Sequence, residues 1–156
     1  MSGRWTRMAA NQVIRIYHGT TLLLPDGRLL HTGSGDASGT VNELNFELYS
    51  PPYLFQGGTR PTITGVVPSV VAYGDTVVVT TPDAAAITRV NLIRFGSVTH
   101  AFDQSQRLVP LTFSPAPGGL SIAFPASGAI APPGPYMLFL VNGTGVPSEA
   151  RIVLLR

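Results

Sequence analysis

The 156-residue sequence contains no cysteine. Disulfides, thiolate metal sites and a cysteine nucleophile are therefore excluded, and nothing in the chain marks its redox compartment. Lysine is also absent: all 10 basic residues are arginines, scattered singly along the chain. A formal net charge of +2 without a basic cluster leaves no electrostatic footprint for nucleic acid. Charged residues make up 12% of the chain, about half the usual share of a soluble globular protein. No apolar run approaches the roughly 18 residues that a membrane helix needs. The opening MSGRWTRMAANQVIRIYHG lacks the apolar core of a signal peptide. No segment shows a convincing helical period.

What the chain has instead is punctuation. Its 17 glycines and 14 prolines are spread along the whole length between short apolar runs. That pattern predicts a turn-rich, all-β chain of one domain with an appended piece. Residues 1–50 read as a small antiparallel sheet, with strands expected at Val13–Tyr17, Thr20–Leu24 and Glu43–Tyr49. A hairpin spans Leu22 to Leu30, because Asp26-Gly27 supplies the left-handed backbone of a tight turn. A sheet of this size is marginal alone and needs a partner. The glycine-rich HTGSGDASG, residues 31–39, is a turn and not a phosphate loop, since no helical period follows it and no lysine is present.

Ser50-Pro51-Pro52-Tyr53 and the following glycines mark residues 51–60 as an extended, semi-rigid linker. From 61 to 156 about seven strands recur at sandwich spacing. They are Val70–Tyr73, Asp75–Thr80, Ile87–Phe95, Leu108–Phe113, Leu120–Phe124, Tyr136–Val141 and Ala150–Leu155. Leu120, Ile122 and Phe124 alternate, as in a half-buried strand, whereas Tyr136–Val141 is apolar throughout and reads as a central strand covered on both faces. The expected domain is an immunoglobulin-like sandwich.

Between two of these strands lies GSVTHAFDQSQR, residues 96–107, a polar hairpin whose tip carries His100. A lone loop imidazole is either a solvated surface residue or a ligand or base delivered to another part of the molecule. The adjacent Tyr17-His18 presents the same choice. In a regular strand neighbouring side chains point to opposite faces. The pair either splits between sheet and solvent or meets one centre at a bend, which Gly19 would permit. His31 reads as a solvent-facing hairpin residue. Ser97, His100 and Asp103 are spaced for one helix face and do not make a triad in a loop.

Four motifs, in order, carry a resemblance. RIYHGTTLLLPDGRLLHTGSG (15–35) is similar to the R-x-Y-H-S-x-x-L-L-L-P-D-G-R-V segment of the copper radical oxidases, the galactose oxidase and glyoxal oxidase family. SPPYLF (50–55) resembles that family's junction into its C-terminal domain, and GSVTHAFDQSQR its G-S-x-T-H-A-F-D-M-D-Q-R signature. APPGPYMLF (131–139) with GVPS (145–148) resembles its P-P-G-x-Y-M-L-F…G-V-P-S end. The resemblance implies that 1–50 is part of the last, kelch-type blade of a β-propeller, 51–60 a linker, and 61–156 a C-terminal early-set immunoglobulin-like domain. It implies one copper ion held by Tyr17, His18 and His100, with Tyr17 also the catalytic base that takes the substrate hydroxyl's proton. Imidazole and phenolate suit Cu(II), and a bound metal acidifies a phenol.

The family oxidises a primary alcohol or aldehyde with oxygen, giving hydrogen peroxide. One copper handles one electron, and the family draws the second from a tyrosine crosslinked to a cysteine, which this chain lacks. Roughly 300 residues of upstream repeat would have to supply it, so the chain alone is not expected to be active. Trp5 reads as ordinary repeat sequence and not as part of that radical site. The implied partners are those upstream blades, or self-association through an exposed blade edge, together with a sugar, alcohol or aldehyde substrate. Secretion is implied by the family alone. Two alternatives stand beside the oxidase: a non-catalytic interaction or carbohydrate-binding sandwich, and a mononuclear copper protein without a radical.

Overall fold

Alternating apolar residues in the second half of the chain build two layers around one core. The computed structural model describes residues 5–156, so the first four residues of the expected 1–50 unit lie outside it. A three-stranded antiparallel sheet comes first, in the order β1 (Thr20–Leu23), β2 (Leu29–Thr32), β3 (Phe46–Tyr49). The expected strand at Val13–Tyr17 does not form. A reverse turn at Tyr17-His18 stops the extension, and the Glu47 carboxylate accepts the backbone N–H groups of Gln12 (2.7 Å) and Val13 (3.4 Å) that a neighbouring strand would otherwise have taken.

All seven expected sandwich strands are present, as β5 (Val70–Val71), β6 (Thr76–Thr80), β7 (Ile87–Arg94), β10 (Leu108–Ala116), β11 (Gly119–Ala123), β12 (Gly134–Asn142) and β13 (Arg151–Leu155). Three more were not anticipated: β4 (Gly65–Val67), and β8 (Val98–Thr99) with β9 (Phe102–Asp103) inside the polar hairpin. Residues of β10 from Leu108 to Leu111 pair with β7, and those from Thr112 to Ala116 pair with β11. This one strand therefore turns the corner between the layer β4-β6-β11 and the layer β7-β12-β13-β5. Pro110 is tolerated where the corner begins. The Arg94 N–H donates to the Arg107 carbonyl (3.0 Å), and alternation along the ladder then points the Pro110 nitrogen away from β7, before pairing with β11 starts.

The core fills the space between the layers. Val77 and Val79 of β6 and Leu120 and Ile122 of β11 meet Val90 and Leu92 of β7, Tyr136, Leu138 and Leu140 of β12, and Val153 and Leu155 of β13. These residues sit at every second position, so each strand sends one face inward. β12 is the exception that its composition predicts: Met137, Phe139 and Val141, on its other face, are also buried. Phe139 and Val141 line a cleft with Leu23 at the end of β1 and Tyr53 of the linker. The sandwich is immunoglobulin-like and the chain is all-β, with two short 3₁₀ turns among the described residues, at Pro52–Phe55 and Ala84–Ala86. The first of these corrects the extended linker: Pro51 is extended (φ −64°, ψ 154°), but Pro52, whose fixed φ also suits a helical first turn, opens a tight turn. Among the described residues no helix is long and apolar enough to cross a membrane.

Candidate metal centre

Two strained turns from separate parts of the sequence come together at the site. In the first, the Gly19 N–H donates to the Ile16 carbonyl (3.1 Å), closing a reverse turn with Tyr17 and His18 at its centre. The left-handed residue is His18 itself (φ 61°), not the glycine expected to bend the chain. Gly19 serves by its smallness, since a Cβ there would lie 3.1 Å from the Ile16 carbonyl oxygen. The loop at Gly33–Gly35 grips the turn. The Gly35 N–H donates to the Tyr17 carbonyl (2.9 Å), the Ile16 N–H donates to the Ser34 hydroxyl (3.3 Å), and a Cβ on Gly33 would collide with the His18 carbonyl.

The second turn is the tip of the β8–β9 hairpin. Thr99 pairs with Phe102, leaving a two-residue loop of His100 (φ 52°) and Ala101 (φ 63°). Two positive φ angles in succession are the geometry for which asparagine and glycine are preferred. Here an imidazole and a methyl group occupy it, at a cost of roughly 1–2 kcal/mol per residue. Such strain collects where a side chain must be aimed. The stem is braced by Asp103, whose Oδ1 accepts the N–H groups of Ser97 and Ser105 (both 2.9 Å). Its foot lies against β1, where a Cβ on Gly96 would stand 2.6 Å from Leu22 Cδ2.

The hairpin brings His100 to the Tyr17-His18 turn. Ring centroids lie 3.9 Å apart for Tyr17 and His18, 4.6 Å for His18 and His100, and 6.0 Å for Tyr17 and His100. Thr99 Oγ1 is 2.7 Å from His100 Nδ1, so that ring nitrogen is engaged within the hairpin. Tyr17 keeps 44% of its surface exposed. Two imidazoles and a phenol are a donor set that suits Cu(II). Among the described residues, no group of three His, Cys, Asp or Glu side chains comes together. With Asp103 bound to backbone amides and His100 to Thr99, no Ser97–His100–Asp103 triad exists. Trp5 is fully exposed. His31 corrects its expected position: it is half-buried, with Nδ1 2.9 Å from the Thr20 carbonyl and 2.8 Å from Thr21 Oγ1.

Two supports of the site were not singled out from sequence. Thr99 lies beside His100 in the T-H dipeptide. Arg15 opens the R-x-Y-H spacing; its side chain is 0% exposed and forms an ion pair with Glu47 (3.5 Å). The Gln12 N–H bond, outweighing the cost of desolvation and helped by the Val13 N–H and the Arg15 charge, holds the Glu47 carboxyl below its ordinary value of 4.5. A lowered carboxyl stabilises the fold above its unfolded pKa and loses that contribution as pH falls through the folded one. The amide signals of Gln12 and Val13 are therefore expected to hold constant from pH 7 to about 5 and to shift together in more acid solution. Glu47→Gln should remove that titration. Persistence of the titration in the variant would assign it to another carboxyl.

Fold and site together define an all-β protein in which a hairpin from an immunoglobulin-like sandwich meets a tyrosine–histidine turn on a separate sheet. The model of the galactose oxidase-like early-set domain matches residues 60–155, and the chain belongs to that family. A galactose oxidase of Gibberella zeae is 37% identical over 150 residues, covering 92% of this chain and 22% of its own. An aldehyde oxidase, GLOX, of Vitis pseudoreticulata is 40% identical over 170 residues, covering 97% of this chain and 32% of its own. A fungal alcohol oxidase of the AA5 family, solved in complex with copper, superposes with a TM-score of 0.88 at 30% identity, covering 99% of this chain and 34% of its own. The chain thus spans between a fifth and about a third of these relatives' lengths.

Proposed function

We propose that Tyr17, His18 and His100 are the copper-binding residues of an alcohol- or aldehyde-oxidising protein of which residues 1–156 are the C-terminal portion. In this reading 1–50 belong to a partial propeller blade, 51–60 are the linker and 61–156 the early-set domain. The observation that carries it is the approach of the three rings to within 3.9–6.0 Å of one another, with His100 far along the chain from the other two. When bound, copper supplies a one-electron oxidant and a Lewis acid. The protein's own residues do the rest. The imidazoles of His18 and His100 serve as neutral donors, His100 through Nε2 when Nδ1 carries the proton and donates to Thr99 Oγ1. The half-exposed Tyr17 side chain is open to an incoming hydroxyl group, and once deprotonated by a bound metal its phenolate oxygen would accept that group's proton.

Taking two electrons from a primary alcohol requires a second redox group. This chain has no cysteine from which to build the crosslinked tyrosine, so that group comes from further blades. Exposed Phe46 and Leu48, side chains on one face of the small sheet, together with Ile14 and Ile16, support a surface made to be covered by such blades or by another copy of itself. Secretion belongs to the same reading.

The 156-residue chain is expected to bind one Cu(II) and to make no hydrogen peroxide from primary alcohols. His100→Ala should weaken Cu(II) binding by more than about 100-fold, beyond what loss of an outer-shell partner costs. Isothermal titration against a competing chelator reads both quantities. Equal affinity in the variant, or no copper binding by the parent chain, would sink the metal reading and leave the sandwich as an interaction module.

A further inference from the structure

We propose that Arg15 is a positioning residue for the Tyr17-His18 turn, setting the phenol and imidazole against His100. The Arg15 guanidinium sits at the centre of a bonded set drawn from the loop at Gly33, from Asn45 and from Glu47 of β3. Nη1 donates to the carbonyls of Gly33 (3.0 Å) and Asn45 (3.3 Å), and Nη2 donates to Asn45 Oδ1 and pairs with Glu47. Gly33 is the residue on which the turn rests. With φ 79° and no Cβ it lies directly under the His18 carbonyl, and the two residues after it hold Tyr17 and Ile16. The chain of support runs from Arg15 to the Gly33 carbonyl, through the 33–35 loop, to the backbone that aims both rings.

Burial energetics favour a geometric role over a merely stabilising one. A guanidinium withdrawn from water costs more than an ion pair returns unless every donor is met, and Arg15 Nε has no partner. A buried apolar residue would hold the sheet together at least as well, but it would not fix the Gly33 carbonyl. Nor would lysine, because only a planar fork reaches two carbonyls, an amide oxygen and a carboxylate at once.

The test uses the full 156-residue chain, as parent, Arg15→Lys and Arg15→Met. The metal-free readout is the set of nuclear Overhauser contacts among the Tyr17, His18 and His100 rings. These should vanish in both variants, while β1–β2 amides and Leu138 methyl signals of the sandwich stay in place. The second readout is Cu(II) affinity, expected to fall about 10–100-fold in Arg15→Lys, the range for loss of an outer-shell partner. Ring contacts retained in Arg15→Lys would overturn the proposal. So would loss of the β1–β2 amide signals in both variants, which would make Arg15 a residue of the sheet alone. The second readout rests on the copper reading and the first does not. A parent chain with intact ring contacts and no copper affinity refutes that reading while the contacts still decide Arg15.

Discussion

Tyr136→Ala is expected to lower the stability of the sandwich by about 3–5 kcal/mol, as large aromatic truncations in close-packed cores do. Tyr136 is completely buried on the inner face of β12, the strand covered on both sides. Its hydroxyl donates to the Pro132 carbonyl (2.7 Å). Burial pushes the phenol up from its ordinary value of 10.0, so it remains a donor throughout the working range of pH. Arg94 lies over the ring at 5.8 Å, and its guanidinium donates to the carbonyls of Pro132 (3.4 Å) and Pro133 (3.3 Å). Arg94 is also the last residue of β7, from which the chain climbs to His100. Removing the ring therefore opens a cavity and loosens the root of the hairpin. Urea denaturation measures the first effect. Tyr136→Phe separates the hydroxyl from the ring and should cost about 1 kcal/mol. A loss below about 1 kcal/mol in the alanine variant would contradict close packing at this position.

Arg60→Ala should release the small sheet from the sandwich at a cost of about 2–3 kcal/mol, the scale of losing charged hydrogen bonds to buried carbonyls. From the linker, Arg60 reaches both units. Its Nε donates to the Pro147 carbonyl (2.9 Å), and Nη2 donates to those of Ser148 (3.0 Å) and Asp26 (2.5 Å). Around it the Tyr53 hydroxyl donates to the Gly27 carbonyl (2.5 Å) and the Ala150 N–H to that of Pro25 (2.8 Å). The turn between β1 and β2 is thus held by three groups of the linker and sandwich. A three-stranded sheet has little stability of its own, so this docking decides both its persistence and its aim. Hydrogen exchange at β1 and β2 should accelerate strongly in Arg60→Ala, while β6 and β11 stay protected. On the proposed copper reading, Cu(II) binding should weaken although Tyr17, His18 and His100 are untouched. Arg60→Lys should behave like the alanine variant, since a point charge cannot span three carbonyls. Unchanged exchange in β1 and β2 would show that Tyr53 and Ala150 suffice.

Much of this architecture is local and therefore legible. Strand faces alternate, so Leu120, Ile122 and Phe124, or the unbroken run at Tyr136–Val141, announce their burial without reference to distant residues. The polar hairpin was readable because turn chemistry is also local. The resemblance added the pairing of His100 with Tyr17 and His18, which no spacing rule yields.

Other features depend on contacts that sequence separation conceals. Val13–Tyr17 has the composition of a strand, yet Glu47, more than 30 residues away, takes its first amides by side chain and the turn at His18 ends it. Gly19 would permit a bend at Tyr17-His18, because glycine is the cheap left-handed residue. The loop at Gly33–Gly35 supplies enough contacts for His18 to carry the strain instead. Gly65–Val67 is too short to alternate visibly and becomes β4 only beside β6. Arg15 and Arg60 looked like two of ten scattered arginines, for a side chain's partners across 18 or 88 residues are not written in its neighbours. The sequence by itself determined the all-β class, the sandwich strands and the hairpin that bears His100, because periodicity and turn chemistry act within a few residues. Only the tertiary structure decided that three rings meet, because their meeting requires two separately formed sheets to be docked through the linker, where Arg60 bonds to both.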